Sequence, residues 1–220
     1  MPLKLLRSAR ARAMRLRVDQ RTGTVLLTIP ARASQRKALA WAAEQRPWIE
    51  AQLAAMTPIS RLLPGSELPL YGRPHLIDWD PLRPRTPRLE PGRLIAGGPA
   101  DGLEPRLLRW LRRQAADLLA TETREFAAKA GVRVERVGVG DPVSRWGSCS
   151  SSGTIRYSWR LILAPEWVRR ATVAHEVAHL VHMNHGPDFH ALVENLLGAD
   201  PKPARSWLRS NGPVIHRIAR

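Results

Sequence analysis

Residues 175–185 read "HEVAHLVHMNH", with His190 close behind, in a chain of 220 residues that has 7 histidines. His175, Glu176 and His179 form an HExxH pattern. On a helix, a step of four residues is just over one turn, so His175 and His179 leave the same face about 6 Å apart along the axis. Two imidazoles placed in this way can chelate one zinc ion. Glu176 is turned about 100° from His175 and is badly placed to be a third ligand. It can instead reach a metal-bound water and act as a general base. Val173, Ala174, Val177, Ala178 and Val181 supply the small apolar packing of a buried helix.

A catalytic zinc ion needs a third protein ligand and an open position. His182 follows His175 by seven residues. On a straight helix His175, His179 and His182 would lie in line over about 10 Å and could not converge on a tetrahedral ion. His182 therefore reads as a rim residue, or one that supports the ligands from behind. His185 lies just beyond a helix expected to end near Asn184, where Asn184 tolerates a left-handed backbone and Gly186-Pro187 turns the chain. It can swing back over the site. Glu194, on the next helix, is the rival, and His185 is favoured over it. Asp188 and His190 are candidates for hydrogen bonds to the ligands. A shell closed by His175, His179, His185 and Glu194 together would instead mark a structural zinc in a non-enzymatic module.

The formal net charge is +16 and the pI about 11.6. That excess fits a polyanionic partner such as nucleic acid, and equally a solvated arginine-rich surface. Lys4, Arg7, Arg10, Arg12, Arg15 and Arg17 occur with no acid among them. They read either as a grip on phosphates or as an exposed strand face. A metal-dependent nucleotide phosphohydrolase is the alternative enzyme, although phosphoryl transfer usually employs oxygen-rich magnesium or manganese sites. From Ala171 to Asp200 there is no Lys or Arg, a cationic gap that suits a bound dication. The single cysteine, Cys149, excludes an internal disulfide and fits a reducing compartment. It reads as a small buried hydrophobe without a catalytic role. No apolar run is long enough for a signal peptide or a membrane span, so a cytoplasmic protein with no membrane partner is expected. The sequence carries no signal for oligomeric state.

The elements that must position these residues are legible from their punctuation. "RAMRLRVDQRTGTVLLTIP" alternates like a hairpin around Thr22 and Gly23. Ser34 can cap a helix over "QRKALAWAAEQRPWIEAQLAAM", which Pro47 should bend or restart. Residues 62–102 are rich in Pro and Gly, with short strand-like pieces between turns. An amphipathic helix over Glu104 to Lys129 is closed by Gly131. "VRVERVGVG" reads as a strand, "RWGSC" and "SWRLIL" as further strands, and Pro165 opens the histidine helix. Two helices near 188–197 and 202–210 follow. This mixture of strands and helices predicts an α+β fold. Residues 1–102 would form an N-terminal region of hairpin, helix and short strands, and 103–220 the domain that carries the site. Arg145, Trp146 and Tyr157 are candidates to line a substrate cleft. For Trp146 and Trp159 a place in the core is the stronger alternative, and for Arg145 a solvated surface.

"RWGSCSSSGTIRYSWRLILAP", followed by "VAHEVAHLVHMNHGPDFH", closely resembles the YgjP-like zinc metallopeptidases, relatives of the SprT-like proteases. The resemblance is strongest from Val143 to Trp207 and reaches back to the N-terminal hairpin and "QRPWIEAQL". It implies a zincin-like domain with a mixed sheet and an HExxH active-site helix, preceded by a small β-rich region. One zinc ion would be held by His175, His179 and His185, with Glu176 as the catalytic residue and a protein or peptide as substrate. His190 departs from the pattern, because relatives usually carry tryptophan there. His182 stands where the metzincin branch has glycine.

Overall fold

The structure, a computed structural model, describes residues 3–19, 23–55, 59–142 and 144–219. Its chain forms two compact units, which meet in sequence between Ile59 and Ser60.

The first unit has strands β1 (Leu3–Ser8), β2 (Arg15–Val18) and β3 (Val25–Pro30), then helices α1 (Gln35–Glu44) and α2 (Arg46–Ala54). β2 and β3 pair antiparallel as expected of the hairpin, and β1 adds to β3 in parallel. Thr22 of the expected turn and Met56 at the expected helix end lie outside the described residues. Alternation buries Val25, Leu27 and Ile29 on one face, against Ala38, Ala42 and Ile49 of the helices. Ser34 caps α1 by accepting from the Lys37 N–H, and Pro47 restarts the helix as α2, where its missing N–H costs nothing. The cations Lys4, Arg10, Arg12, Arg15 and Arg17 are exposed, and Arg7 donates to the carbonyls of Ala31 and Ala33.

The second unit opens with β4 (Glu67–Leu70), β5 (Arg73–Trp79), β6 (Arg88–Glu90) and β7 (Arg93–Ala96), a mixed sheet in the order β4-β5-β7-β6. A long helix, α3 (Leu103–Ala130), follows and ends at Gly131 with φ +66°. Its stripe of Leu103, Leu107, Leu111, Ala115, Leu119 and Phe126 recurs about every fourth residue and is buried. Leu68, Leu70, Ile77 and Leu94 of the sheet share this core. Residues 60–102 therefore belong with the C-terminal residues, and the chain does not divide at 102, where the Pro- and Gly-rich composition suggested.

A second mixed sheet follows, of β8 (Arg136–Gly140), β9 (Gly147–Cys149) and β10 (Thr154–Ser158), in the order β8-β10-β9. β9 is thus an edge strand. The expected strand "SWRLIL" is instead a 3-10 helix over Trp159–Leu163, capped by the Ser158 hydroxyl, which accepts from the Arg160 N–H. All five of its residues are buried, so it lacks the solvent-facing alternation of a half-buried strand. Helices α4 (Glu166–Ala178), α5 (Pro187–Leu197) and α6 (Lys202–His216) complete the unit. The architecture is α+β. Among the described residues no helix is long and apolar enough to cross a membrane.

Candidate metal centre

α4 starts after Pro165 with Glu166 in its first turn, where the helix dipole favours an acid. Val168, Ala171, Val173, Ala174, Val177 and Ala178 are buried, so the helix is packed on most sides and its rotation is fixed. It carries His175 and Glu176 on its last turn and ends at Ala178, with His179 as its cap. That is earlier than the expected end near Asn184. The i→i−3 bonds from Leu180 N–H to the Val177 carbonyl (2.9 Å) and from Val181 N–H to Ala178 (3.1 Å) tighten the chain out of the helix.

The early stop brings the histidines together. His182 leaves the line of the helix, and its backbone carbonyl sits 3.1 Å from His179 Nδ1. A carbonyl can only accept, so Nδ1 carries the proton and His179 Nε2 is left as a free donor to a metal. His185 returns over α4 until its Nε2 is 3.3 Å from Nε2 of His175. One nitrogen from each of His175, His179 and His185 lies within 4.8 Å of the others. Zinc–imidazole bonds of about 2.0–2.1 Å make the edge of a regular tetrahedron about 3.3 Å, which matches the His175–His185 separation. The donor set therefore fits one zinc ion.

Phe189 backs all three rings, with centroids 4.9 Å from His175, 4.5 Å from His179 and 4.7 Å from His185. It is fully buried in the first turn of α5. Sequence reasoning missed it; the one available signal was an aromatic residue four positions after His185. Burial, with smaller contributions from the neighbouring imidazoles and Arg205, holds the His175 pKa down at about 4. Burial lowers that of His179 as well. His175 is accordingly neutral, the ligand form, across the physiological range.

Glu176 is 5% exposed. Burial pushes its carboxyl up to about 7, against a smaller downward pull from Arg145. A carboxyl with that pKa can both take and return a proton near neutrality. Gly147 of β9 is the second residue that sequence reasoning missed. A Cβ on it would meet Glu176 Oε1 at 2.5 Å and Cγ at 2.6 Å, so only glycine lets the strand approach this closely.

His175, Glu176 and Gly147 stand between two recesses. One is an open groove bordered by Arg145, Ser148, Cys149 and Met183. The other is a narrower pocket between α4, α5 and α6. Arg145 is exposed on the groove, and burial foremost raises the Cys149 thiol to about 11, so the thiol stays neutral. Trp146 is half-buried, stacked on His216 at 4.3 Å, and borders the pocket. Tyr157 does not line a cleft. It is fully buried with its hydroxyl 3.0 Å from Thr123 Oγ1, because its side of β10 faces the core. Trp159 is also in the core.

Among the described residues, Asp188 makes no hydrogen bond to the three histidines. His190 makes none either and stands with its ring 6.4 Å from that of His185. His182 supports the cluster through its backbone carbonyl. Glu194 is exposed and lies outside the cluster, because α5 directs Val193 inward in its place.

A family model described as "YgjP-like, metallopeptidase domain" matches residues 12–211, nearly the whole chain. No curated protein and no solved structure gives a match.

Proposed function

The chain belongs to the YgjP-like metallopeptidase family, and from that premise we propose that it is a zinc-dependent peptidase whose working residues are His175, His179, His185 and Glu176. The observation that carries this reading is a buried carboxyl, pushed up to about 7, that follows His175 on the last turn of α4, where the imidazoles of His175, His179 and His185 converge. His175, His179 and His185 would hold the ion. When bound, zinc polarises a carbonyl and acidifies water. The Glu176 carboxylate accepts the proton of the attacking water and returns it to the leaving amine. Gly147 fixes where that carboxylate can sit, and Arg145 supplies a positive field beside it.

Extended substrate backbone can add to the free edge of β9, which borders the groove, as strands add to exposed sheet edges elsewhere. Among the described residues no fourth His, Cys, Asp or Glu joins the cluster of three donor nitrogens, which supports a site open to substrate over a closed structural one. An all-nitrogen donor set argues against a magnesium phosphohydrolase. The reading includes a cytoplasmic setting, consistent with one unpaired cysteine.

The test is to supply the zinc-loaded protein, and then the magnesium-loaded protein, with denatured casein and with nucleoside triphosphates. Peptide fragments that appear with zinc, without release of phosphate, are expected. Phosphate release without fragments would overturn the proposal.

A further inference from the structure

The pocket between α4, α5 and α6 has a volume of about 240 Å³ and opens directly on His175 and Glu176. Much of its lining is apolar, with Ala171 from α4, Val193 and Phe189 from α5, Ala204 and Leu208 from α6, and Trp146; Thr172 and His190 add polar groups. Its charged residue other than Glu176 is Arg205, which is exposed.

We propose that this pocket is a specificity subsite that receives a large uncharged side chain, aromatic or branched aliphatic, from the residue adjoining the scissile bond. The inference rests on the peptidase reading for its substrate, and on the pocket's shape and lining for its selectivity. Size supports it. An apolar cavity of about 150 Å³ already accommodates benzene, so about 240 Å³ admits a phenyl ring or a leucine side chain. Chemistry narrows the choice. A lysine or arginine side chain would enter past the Arg205 cation and lose its hydration against Ala171, Val193 and Leu208, which is costly for an unpaired charge. Location completes it, because Glu176 and His175 form one wall, so a side chain seated here holds its own peptide bond beside both.

Burial of such a side chain is expected to favour it over alanine by on the order of 10- to 100-fold in kcat/KM. Two measurements separate this subsite from the peptidase reading. Cleavage sites in denatured casein, mapped by mass spectrometry with the zinc-loaded chain, should show Phe, Leu or Met enriched at one fixed position next to the cut. Val193→Phe, which fills the pocket, should move that preference to small residues, and Leu208→Ala should widen it. Leu208 is partly exposed, so this second variant decides the matter if the first does not fold. The other measurement is calorimetric binding, to zinc-loaded Glu176→Gln protein, of peptides in which one Phe is moved along an Ala-Gly-Ser background. One register should bind at least about 10-fold tighter than the all-small peptide. Cleavage without positional preference, or a preference that neither variant moves, would overturn the subsite and leave the peptidase standing. Selective binding without any cleavage would overturn the peptidase, and with it the subsite, and leave the pocket only a binding site for an apolar side chain. Absence of both would sink the two together.

Discussion

Gly147 lies so close to Glu176 that a Cβ at position 147 would sit 2.5 Å from Oε1 and 2.7 Å from Cδ of the carboxyl. The edge strand thus sets the position of the proposed base. Gly147→Ala must displace the carboxylate, since the backbone of β9 is held by its pairing to β10. Turnover should fall by about 100-fold or more, the scale of a lost acid–base catalyst, while zinc stoichiometry stays at one. Metal analysis alongside peptidase kinetics checks this. Full activity in the alanine variant would show that the contact does not position the base.

The ligand set makes a second prediction. His185→Ala removes one of three donors and should weaken zinc affinity by more than about 100-fold, beyond the usual effect of losing a supporting residue. His182→Ala should leave zinc content nearly intact, because that residue contributes its backbone carbonyl to His179. Glu194→Gln should have no effect. Competition with a chromogenic chelator measures all three, and an empty site in Glu194→Gln protein would replace His185 by Glu194.

The metal-free protein should show opposing pH effects. The Glu176 carboxyl, raised from 4.5 to about 7, binds its proton more tightly when folded, so its contribution to stability is lost as pH rises from about 4.5 to 7. His175, lowered from 6.5 to about 4, is buried neutral, so its contribution is lost as pH falls from about 6.5 to 4. The two largely cancel near pH 5–6. Glu176→Gln removes the first effect alone, so its melting temperature relative to wild type should climb between pH 4.5 and 7. The full swing is about 3 kcal/mol. A difference that is flat with pH would mean that Glu176 is not held protonated by burial.

Away from the site, Arg169 on α4 and Glu122 on α3 form a buried ion pair, with Nη2 to Oε1 at 2.8 Å and Nε to Oε2 at 3.0 Å. Glu122→Ala would strand the guanidinium and should cost about 3–5 kcal/mol in urea unfolding. Glu122→Leu with Arg169→Met should recover much of that loss. A single variant as stable as wild type would show that the pair does not lock α4 to α3.

The sequence made the donors legible and left their assembly half hidden. His175, Glu176 and His179 announce themselves by spacing, and Gly186-Pro187 explains how His185 can come back. The end of α4 at Ala178 was not legible, because Leu180 and Val181 continue an apolar pattern. What stops the helix is a pair of tightened turns and a ring nitrogen meeting the His182 carbonyl. Tyr157 looked like a cleft residue because alternation along β10 does not say which side faces the core. Gly147 and Phe189 were silent for a related reason: each matters through contact with residues far along the chain or on another element. The short strands of residues 62–102 were readable from their turns. Their membership of the α3 core was not, since composition marks breaks in the chain and not which surfaces pack.

In the proposed mechanism Glu176 moves the proton while the histidines hold the metal. Glu176→Gln, loaded with zinc and assayed on denatured casein, tests it most directly when metal content is measured in the same sample. One zinc per chain with turnover reduced by about 100-fold or more is the predicted result. One zinc per chain with undiminished turnover would contradict it.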